Sequence, residues 1–147
     1  MSSSYESADL LLKLYELRRE PSMREARAWF AAAFNPTTFE EVQQGLTGPK
    51  SAQFRMVSSY WDMAASLVNN GAIAEQMFND ANGEHYVVFA KLEPYLAPYR
   101  EMMGNPNAFA HLEKLVMKAP GAKERLATLR ARFKAMADAR RAATATT

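Results

Sequence analysis

Residues 54–78, FRMVSSYWDMAASLVNNGAIAEQMF, decide the fold because they contain the clearest helical pattern of the chain. Apolar side chains recur there at alternating spacings of three and four, which places them on one face of a helix. They are Phe54, Val57, Trp61, Ala64 and Val68, with Tyr60 and Leu67 at the margin. The other face carries Arg55, Ser58, Ser59, Asp62, Ser66, Asn69 and Asn70. Gly71 can adopt the left-handed conformation that ends a helix, so we predict a buried central helix that stops there.

The length and composition fit one soluble domain. The chain has 147 residues, of which 48% are hydrophobic and 23% charged, as in typical globular proteins. No apolar run approaches the roughly 20 residues that a membrane helix needs, and the start of the chain lacks the basic segment of a signal peptide. We therefore expect a cytoplasmic protein. The absence of cysteine excludes disulfides, thiolate catalysis and cysteine-ligated zinc.

Three helices are predicted before the central one. The first covers residues 5–20, with Ser7 as its cap, and Pro21 begins the second. Their apolar faces consist of Leu10, Leu11, Leu14 and Leu17, and of Met23, Ala26, Trp29, Phe30, Ala33 and Phe34. Thr38 followed three residues later by Glu41 predicts a short capped helix over residues 39–44.

Helical periodicity continues after Gly71. A short helix is expected around Phe78, and residues 84–103 predict a longer helix that is kinked near Pro94. Two further helices have apolar faces formed by Phe109, Leu112, Leu115 and Val116, and by Leu126, Leu129, Phe133 and Met136. We therefore predict an all-α, single-domain bundle of about five to seven helices, with the long helices antiparallel. The domain is expected to span residues 1–141, followed by a frayed tail over 142–147.

The last helix is strongly basic. Residues 118–141 carry eight basic and two acidic side chains, although the whole chain has a net charge of only +2. A candidate basic patch consists of Arg125, Arg130, Arg132, Lys134 and Arg141. Such a patch can bind nucleic acid, or it can be the solvated face of a helix packed on an acidic body. No aromatic residues alternate with these bases as stacking platforms, so nucleic acid is not the expected partner.

Few side chains are available for metal binding or catalysis. The two histidines, His85 and His111, are not preceded by glutamate at the spacing of carboxylate-bridged metal bundles, and no His-Glu-x-x-His motif occurs. A metal site would require both to converge with Asp62, Glu75 or Asp80. A surface or helix-capping role is the preferred interpretation of the histidines. We expect no cofactor, no metal and no enzymatic activity.

Two further motifs are incomplete. Lys50 and Ser51 open a helix in the manner of a phosphate-binding loop, but Pro49 replaces the required glycine and no strand precedes it. A helix-turn-helix needs a small residue four positions before its turn glycine. With Gly45 or Gly48 at the turn, that position is occupied by Glu41 or Gln44, and neither is small. The sequence therefore predicts neither nucleotide binding nor this mode of DNA binding.

Aromatic and methionine side chains are numerous enough to line a pocket or an interface between helices, although the same pattern also fills ordinary cores. The candidate residues are Trp61, Asp62, Tyr95, Tyr99, His85 and His111. Asp62 follows a buried tryptophan but points away from the apolar stripe, which predicts a surface carboxylate. A helix docked on that second face would give Asp62 another role.

The segments SYWDMAASLVNNGAIAEQMF (59–78) and YVVFAKLEPYLAPYREMMGNPNAFAHLEKLV (86–116) resemble a family of small bacterial helical domains of unknown function. The shared pattern falls on Trp61, Asp62, Ala65, Leu67, Val68, Gly71, Pro94, Arg100, Phe109, Leu112 and Glu113. The resemblance extends over roughly residues 54–116. It implies the order of the helices and, for many relatives, a membrane anchor near the N-terminus. It implies no activity.

The leading functional hypothesis is a non-enzymatic helical module that acts through protein contacts, either with another protein or as a homodimer. It is based on the missing catalytic constellation and on the apolar residues shared among several helices. Two alternatives remain, namely small-ligand binding in an aromatic and methionine-lined pocket, and nucleic-acid binding through the basic C-terminal helix.

Overall fold

The computed structural model describes residues 2–146, and all regular secondary structure in that range is helical. The α-helices are α1 (Ser4–Arg19), α2 (Pro21–Ala32), α3 (Phe39–Thr47), α4 (Ser51–Asn69), α5 (Glu75–Ala81), α6 (Glu84–Leu92), α7 (Leu96–Met103), α8 (Ala110–Met117) and α9 (Ala122–Ala145). A 3₁₀ turn, Glu93–Tyr95, joins α6 to α7. The all-α prediction is confirmed. If α6, the turn and α7 are counted as the one kinked helix that the sequence predicts, the described residues form eight helices.

The central helix lies where the sequence predicts it. α4 contacts α2, α3, α5, α6 and α8, and its predicted stripe is buried, with Trp61 only 1% exposed. Its end is closed by Gly71, whose φ of +80° is left-handed. The Gly71 and Ala72 amides donate to Val68 and Leu67, the bonding pattern of a Schellman cap.

The predicted kink at Pro94 is confirmed, and it has a partner on α9. Proline has no N–H to donate to the carbonyl of Ala90, which lies four residues earlier and would clash with its ring. The backbone tightens into the 3₁₀ turn at this point. Arg130 of α9 donates instead to the Ala90 oxygen at 3.4 Å. The interruption of the helix at Pro94 thus leaves a carbonyl to which α9 can bind.

The prediction for the start of α1 is wrong. Its N-cap is Ser3, which exchanges hydrogen bonds with Glu6 in a capping box. Ser7 is instead fully buried, and its hydroxyl accepts the backbone N–H of Ala74 at 3.0 Å. Leu17 was also predicted to be on the buried face, yet it is 55% exposed.

α3 is longer than predicted because Gly45 lies inside it rather than ending it. Thr38 caps the helix as expected, accepting the Glu41 N–H at 3.2 Å. A Cβ on Gly45 would lie 2.9 Å from the Phe34 ring and 3.3 Å from the Phe54 ring. Glycine is therefore present because α3 approaches these aromatic side chains closely, not because the chain turns there.

The basic helix α9 packs on α6 and α8 through a slightly different seam from the predicted one. Leu126 and Phe133 are buried as expected, but Met136 is 40% exposed and Ala137 is buried in its place. The expected frayed tail from residue 142 is helical up to Ala145, with exposed side chains, and Thr147 lies outside the described residues. None of the helices within residues 2–146 combines the length and apolarity needed to span a membrane.

Candidate functional site

Asp62 has a defined structural role at the start of α8. Phe109, the residue before α8, has a left-handed φ of +58°, and its side chain provides no cap. The Asp62 carboxylate on α4 accepts the backbone N–H of Leu112, in the first turn of α8, at 2.9 Å. A carboxylate at this position satisfies a free amide and interacts favourably with the helix dipole. Asp62 is therefore an N-cap supplied by another helix.

Arg100 holds the other side of the same bend. Its Nε donates to the carbonyl of Ala108 at 2.9 Å, and its guanidinium pairs with Glu113 at 3.0 Å. The ring centroids of Tyr99, on α7, and Phe109, just before α8, lie 5.2 Å apart. The residues that carry the family resemblance in this region thus fix α8 against α4 and α7.

The two histidines do not meet. His111 is exposed on α8, where the Asn69 amide donates to its backbone oxygen at 3.0 Å. His85 is fully buried among the rings of Trp61, Phe78 and Tyr86, with centroids 4.5–5.9 Å away. Neither ring nitrogen of His85 has a hydrogen-bond partner in the described part of the chain, and the same holds for the Trp61 Nε1.

Burial, with a smaller contribution from Arg125, lowers the pKa of His85 from 6.5 to about 4. The ring is therefore neutral near pH 7. Glu75, another proposed member of a metal site, pairs with Lys118 at 2.5 Å. Within residues 2–146 no three His, Asp or Glu side chains come together as a group that could hold a metal ion.

The candidate pocket residues are distributed over different places. Asp62 and Tyr99 share a surface cavity of about 340 Å³ with Met63 and Phe109. Tyr95 lines a separate cavity of about 280 Å³, and its hydroxyl donates to the carbonyl of Pro36 at 3.2 Å. Burial raises the pKa of both tyrosines. The structure therefore does not form one pocket from the six predicted residues.

The residues of the predicted basic patch lie on two different sides of α9. On one side Arg125 stacks on the buried Tyr86 ring, 3.8 Å from its centroid, and Arg132 is exposed. On the other, Arg130 and Lys134 line the Tyr95 cavity, and Arg141, paired with Asp138, lines a groove of about 570 Å³. Arg130 also pairs with Glu93 at 3.4 Å. Much of the predicted positive patch is therefore engaged within the protein itself.

The position of Trp29 and Tyr95 beside these bases was not predicted from the sequence, which assigned Trp29 to an apolar face and Tyr95 to a candidate pocket. Trp29 lines the groove that contains Arg141, and Tyr95 lines the cavity that contains Arg130. Both lie far from α9 in sequence, so their position beside its basic side chains results from tertiary packing. No local pattern could have revealed it.

Lys91 was also not predicted as a site residue, although it is the one lysine or arginine among residues 2–146 that is buried. Its side chain is only 3% exposed, and its Nζ donates to the carbonyls of Phe30 and Ala31 at 2.6 and 3.1 Å, at the end of α2. The Nζ also lies 4.5 Å from the centre of the Phe133 ring. Burial lowers the pKa of Lys91 from 10.5 to about 7. No carboxylate within residues 2–146 forms a salt bridge with it.

The outer face of α4 carries a continuous stripe of mostly exposed side chains. It carries Ala52, Met56, Ser59, Met63, Ser66 and Asn70, of which only Ser66 is half-buried and the others are exposed. A cavity of about 450 Å³ borders this face on the side of Leu17 and Met23. The 340 Å³ cavity borders it on the side of Tyr99, and Ser59 and Met63 line both cavities.

A family model matches most of the chain. The model described as Domain of unknown function (DUF4760) matches residues 4–119, which includes the whole of the region that resembles small helical domains. Comparisons with curated proteins and with solved structures gave no match. The matched range runs from α1 through α8, so it contains Asp62, Arg100 and their partners on α8. The chain therefore belongs to the DUF4760 family of domains of unknown function.

Proposed function

We propose that this protein is a non-enzymatic helical module that forms a homodimer through the exposed face of α4. The observation that supports this proposal is a stripe of methionine and small side chains on that face. Its members, at spacings of four, three, four, three and four, are Ala52, Met56, Ser59, Met63, Ser66 and Asn70. This is the period at which one helix packs along another.

The chemistry of the stripe suits a helical partner. Met56 and Met63 are 37% and 41% exposed, and flexible thioether side chains adapt readily to an apposed surface. The small residues between them, such as Ser59, allow two helix backbones to approach closely. The cavities on the two sides of α4, about 450 and 340 Å³, provide grooves for side chains of a second copy.

Charge complementarity favours a second copy of this chain as the partner. An antiparallel pair of α4 helices centred on Ser59 places Arg55 beside the partner's Asp62, and symmetry repeats this contact. Asp62 uses one carboxylate oxygen for α8, and a carboxylate has a second oxygen to accept from an arginine. The same arrangement places Ala52 opposite the partner's Ser66. The face is thus self-complementary, as a two-fold interface requires.

A cysteine placed at the proposed two-fold axis tests this geometry directly, because the natural chain has no cysteine. The variant Ser59→Cys, treated with diamide, is expected to form a disulfide-linked dimer. The control variant Thr128→Cys places a cysteine on the exposed surface of α9 and is expected to remain uncrosslinked at the same concentration. Equal crosslinking of both variants would indicate random collisions and would contradict the proposal.

Sedimentation equilibrium of the untagged chain provides the second test. Met63→Glu introduces a charge into the face and is expected to weaken dimerisation at least about tenfold, equivalent to about 1.4 kcal/mol. Met136→Glu is a matched control because Met136, on α9, is 40% exposed. Circular dichroism checks that both variants fold. A wild-type chain that remains monomeric up to about millimolar concentration would refute the proposed function.

A further inference from the structure

The cavity beside Lys91 lies between segments that are far apart in the sequence. Its volume is about 280 Å³, and it lies where the loop after α2 meets α6, the 3₁₀ turn and α9. Its lining residues are Asn35, Pro36, Thr37, Ala90, Lys91, Pro94, Tyr95, Arg130, Phe133 and Lys134. It is separate from the exposed face of α4.

The lining of this cavity has an excess of positive charge. Lys91, Arg130 and Lys134 contribute three basic side chains, and no carboxylate is among the lining residues. Glu93 pairs with Arg130 at the long distance of 3.4 Å, and none of the salt bridges among the described residues involves Lys91 or Lys134. Lys91 uses two N–H groups on backbone carbonyls, so its protonated form has one N–H left for a further acceptor such as an acid group.

The rest of the lining offers apolar contacts and an unsatisfied hydrogen-bond acceptor. Phe133 and Pro94 provide apolar surface. The Oδ1 atom of Asn35 is buried and has no hydrogen-bond partner among the described residues, although its Nδ2 donates to the end of α2. A buried acceptor without a donor is unfavourable, and a ligand hydroxyl or amide N–H would satisfy it.

We propose that this cavity binds a small organic anion that carries an acid group, an apolar body and a hydrogen-bond donor. The acid group contacts Lys91 and the two cations at the rim, Arg130 and Lys134. The apolar body packs on Phe133, and the donor bonds to Asn35. This combination of a few placed polar groups with apolar walls is typical of small-molecule sites.

The probe for this site is 4-hydroxybenzoate, compared with uncharged 4-hydroxybenzamide and with inorganic phosphate. An NMR titration of the ¹⁵N-labelled chain is expected to show saturable shifts at residues such as Thr37 and Tyr95, with a Kd of about 0.1–1 mM for so small a ligand. The benzamide and phosphate are each expected to bind at least about tenfold more weakly. Equal binding of the benzamide would overturn the role of charge, and equal binding of phosphate would overturn that of the apolar body.

Two charge reversals on α9 test the location. Lys134→Glu, at the rim, is expected to weaken binding of 4-hydroxybenzoate at least about tenfold. Lys123→Glu changes the same charge on an exposed residue that does not line the cavity, and it is expected to change the Kd less than about twofold.

Lys91→Met is expected to abolish binding while the chain remains folded by circular dichroism. If that variant does not fold, the pair of α9 variants decides the question. Equal effects of the two charge reversals, or no saturation of the wild-type chain up to about 20 mM probe, would overturn the proposal.

Discussion

The buried, unpaired His85 should make the protein sensitive to mild acid. In the folded state burial lowers its pKa to about 4, whereas the unfolded chain has the ordinary value of 6.5. Between these values the unfolded state binds a proton and the folded state does not, so stability falls as the pH falls. The two pKa values correspond to a loss of about 2 kcal/mol in the free energy of unfolding at pH 5.0, with almost none at pH 7.5.

The variant His85→Leu isolates this contribution. Leucine is similar in volume to histidine, fits a pocket lined by aromatic rings and has no titratable group. Other groups also titrate between pH 7.5 and 5.0, but they are the same in both proteins and cancel in the comparison. We expect the variant to lose about 2 kcal/mol less than the wild type over this range. At pH 7.5 it should be at least as stable, because two unpaired buried nitrogens are removed.

Urea unfolding followed by circular dichroism at pH 7.5 and 5.0 measures the effect. His111→Gln is the matched control, since it removes the exposed histidine and leaves His85 in place. This control should lose stability with pH as the wild type does. Parallel pH dependence of the wild type and His85→Leu would refute the reasoning and would mean that His85 is solvated or hydrogen-bonded in solution.

Three further substitutions test the fold by the same unfolding assay. Trp61→Ala should cost about 3–5 kcal/mol because a fully buried indole is removed from the centre of the core, and a loss below about 1 kcal/mol would contradict that placement. Asp62→Ala should cost about 1–2 kcal/mol through loss of the α8 cap, whereas Asp9→Ala, which removes an exposed ion pair, should cost less than about 0.5 kcal/mol. Gly104→Ala forces a side chain into φ +61° and should cost about 1 kcal/mol, whereas Gly83→Ala, in open space with negative φ, should cost less; equal costs would argue against conformational strain.

Local chemistry determines much of the fold, and that part could be predicted from the sequence. The stripe on α4 follows from the helical period, and its end at Gly71 follows from the freedom of glycine at positive φ. The turn at Pro94 follows from the missing N–H. In each case a few consecutive residues contain the whole physical cause, so no knowledge of the neighbouring helices is needed.

The missed features have causes that lie far apart in the sequence. Ser7 looks like a cap for α1, yet it bonds to Ala74, 67 residues away. Lys91 looks like a solvent-exposed lysine, yet packing buries it at the end of α2, 60 residues earlier in the chain. Gly45 looks like a helix end, yet it is a contact point for Phe34. A pattern read along one helix cannot reveal which carbonyl, amide or ring another helix will bring to it.

The recognisable motif and the proposed binding surfaces therefore have different roles, the first in stabilising the fold and the second in binding. Two motif residues stabilise the fold directly, since Asp62 caps α8 and Arg100 donates a hydrogen bond to the bend before it. Of the residues that line the cavity beside Lys91, only Pro94 belongs to the motif, and none of the exposed stripe on α4 does, so membership of the family does not by itself specify what they bind. Asp62 belongs both to the motif and to the proposed dimer interface. One of its oxygens completes the fold by capping α8, and in the proposed dimer the other faces the partner's Arg55, which couples the position of α8 to self-association.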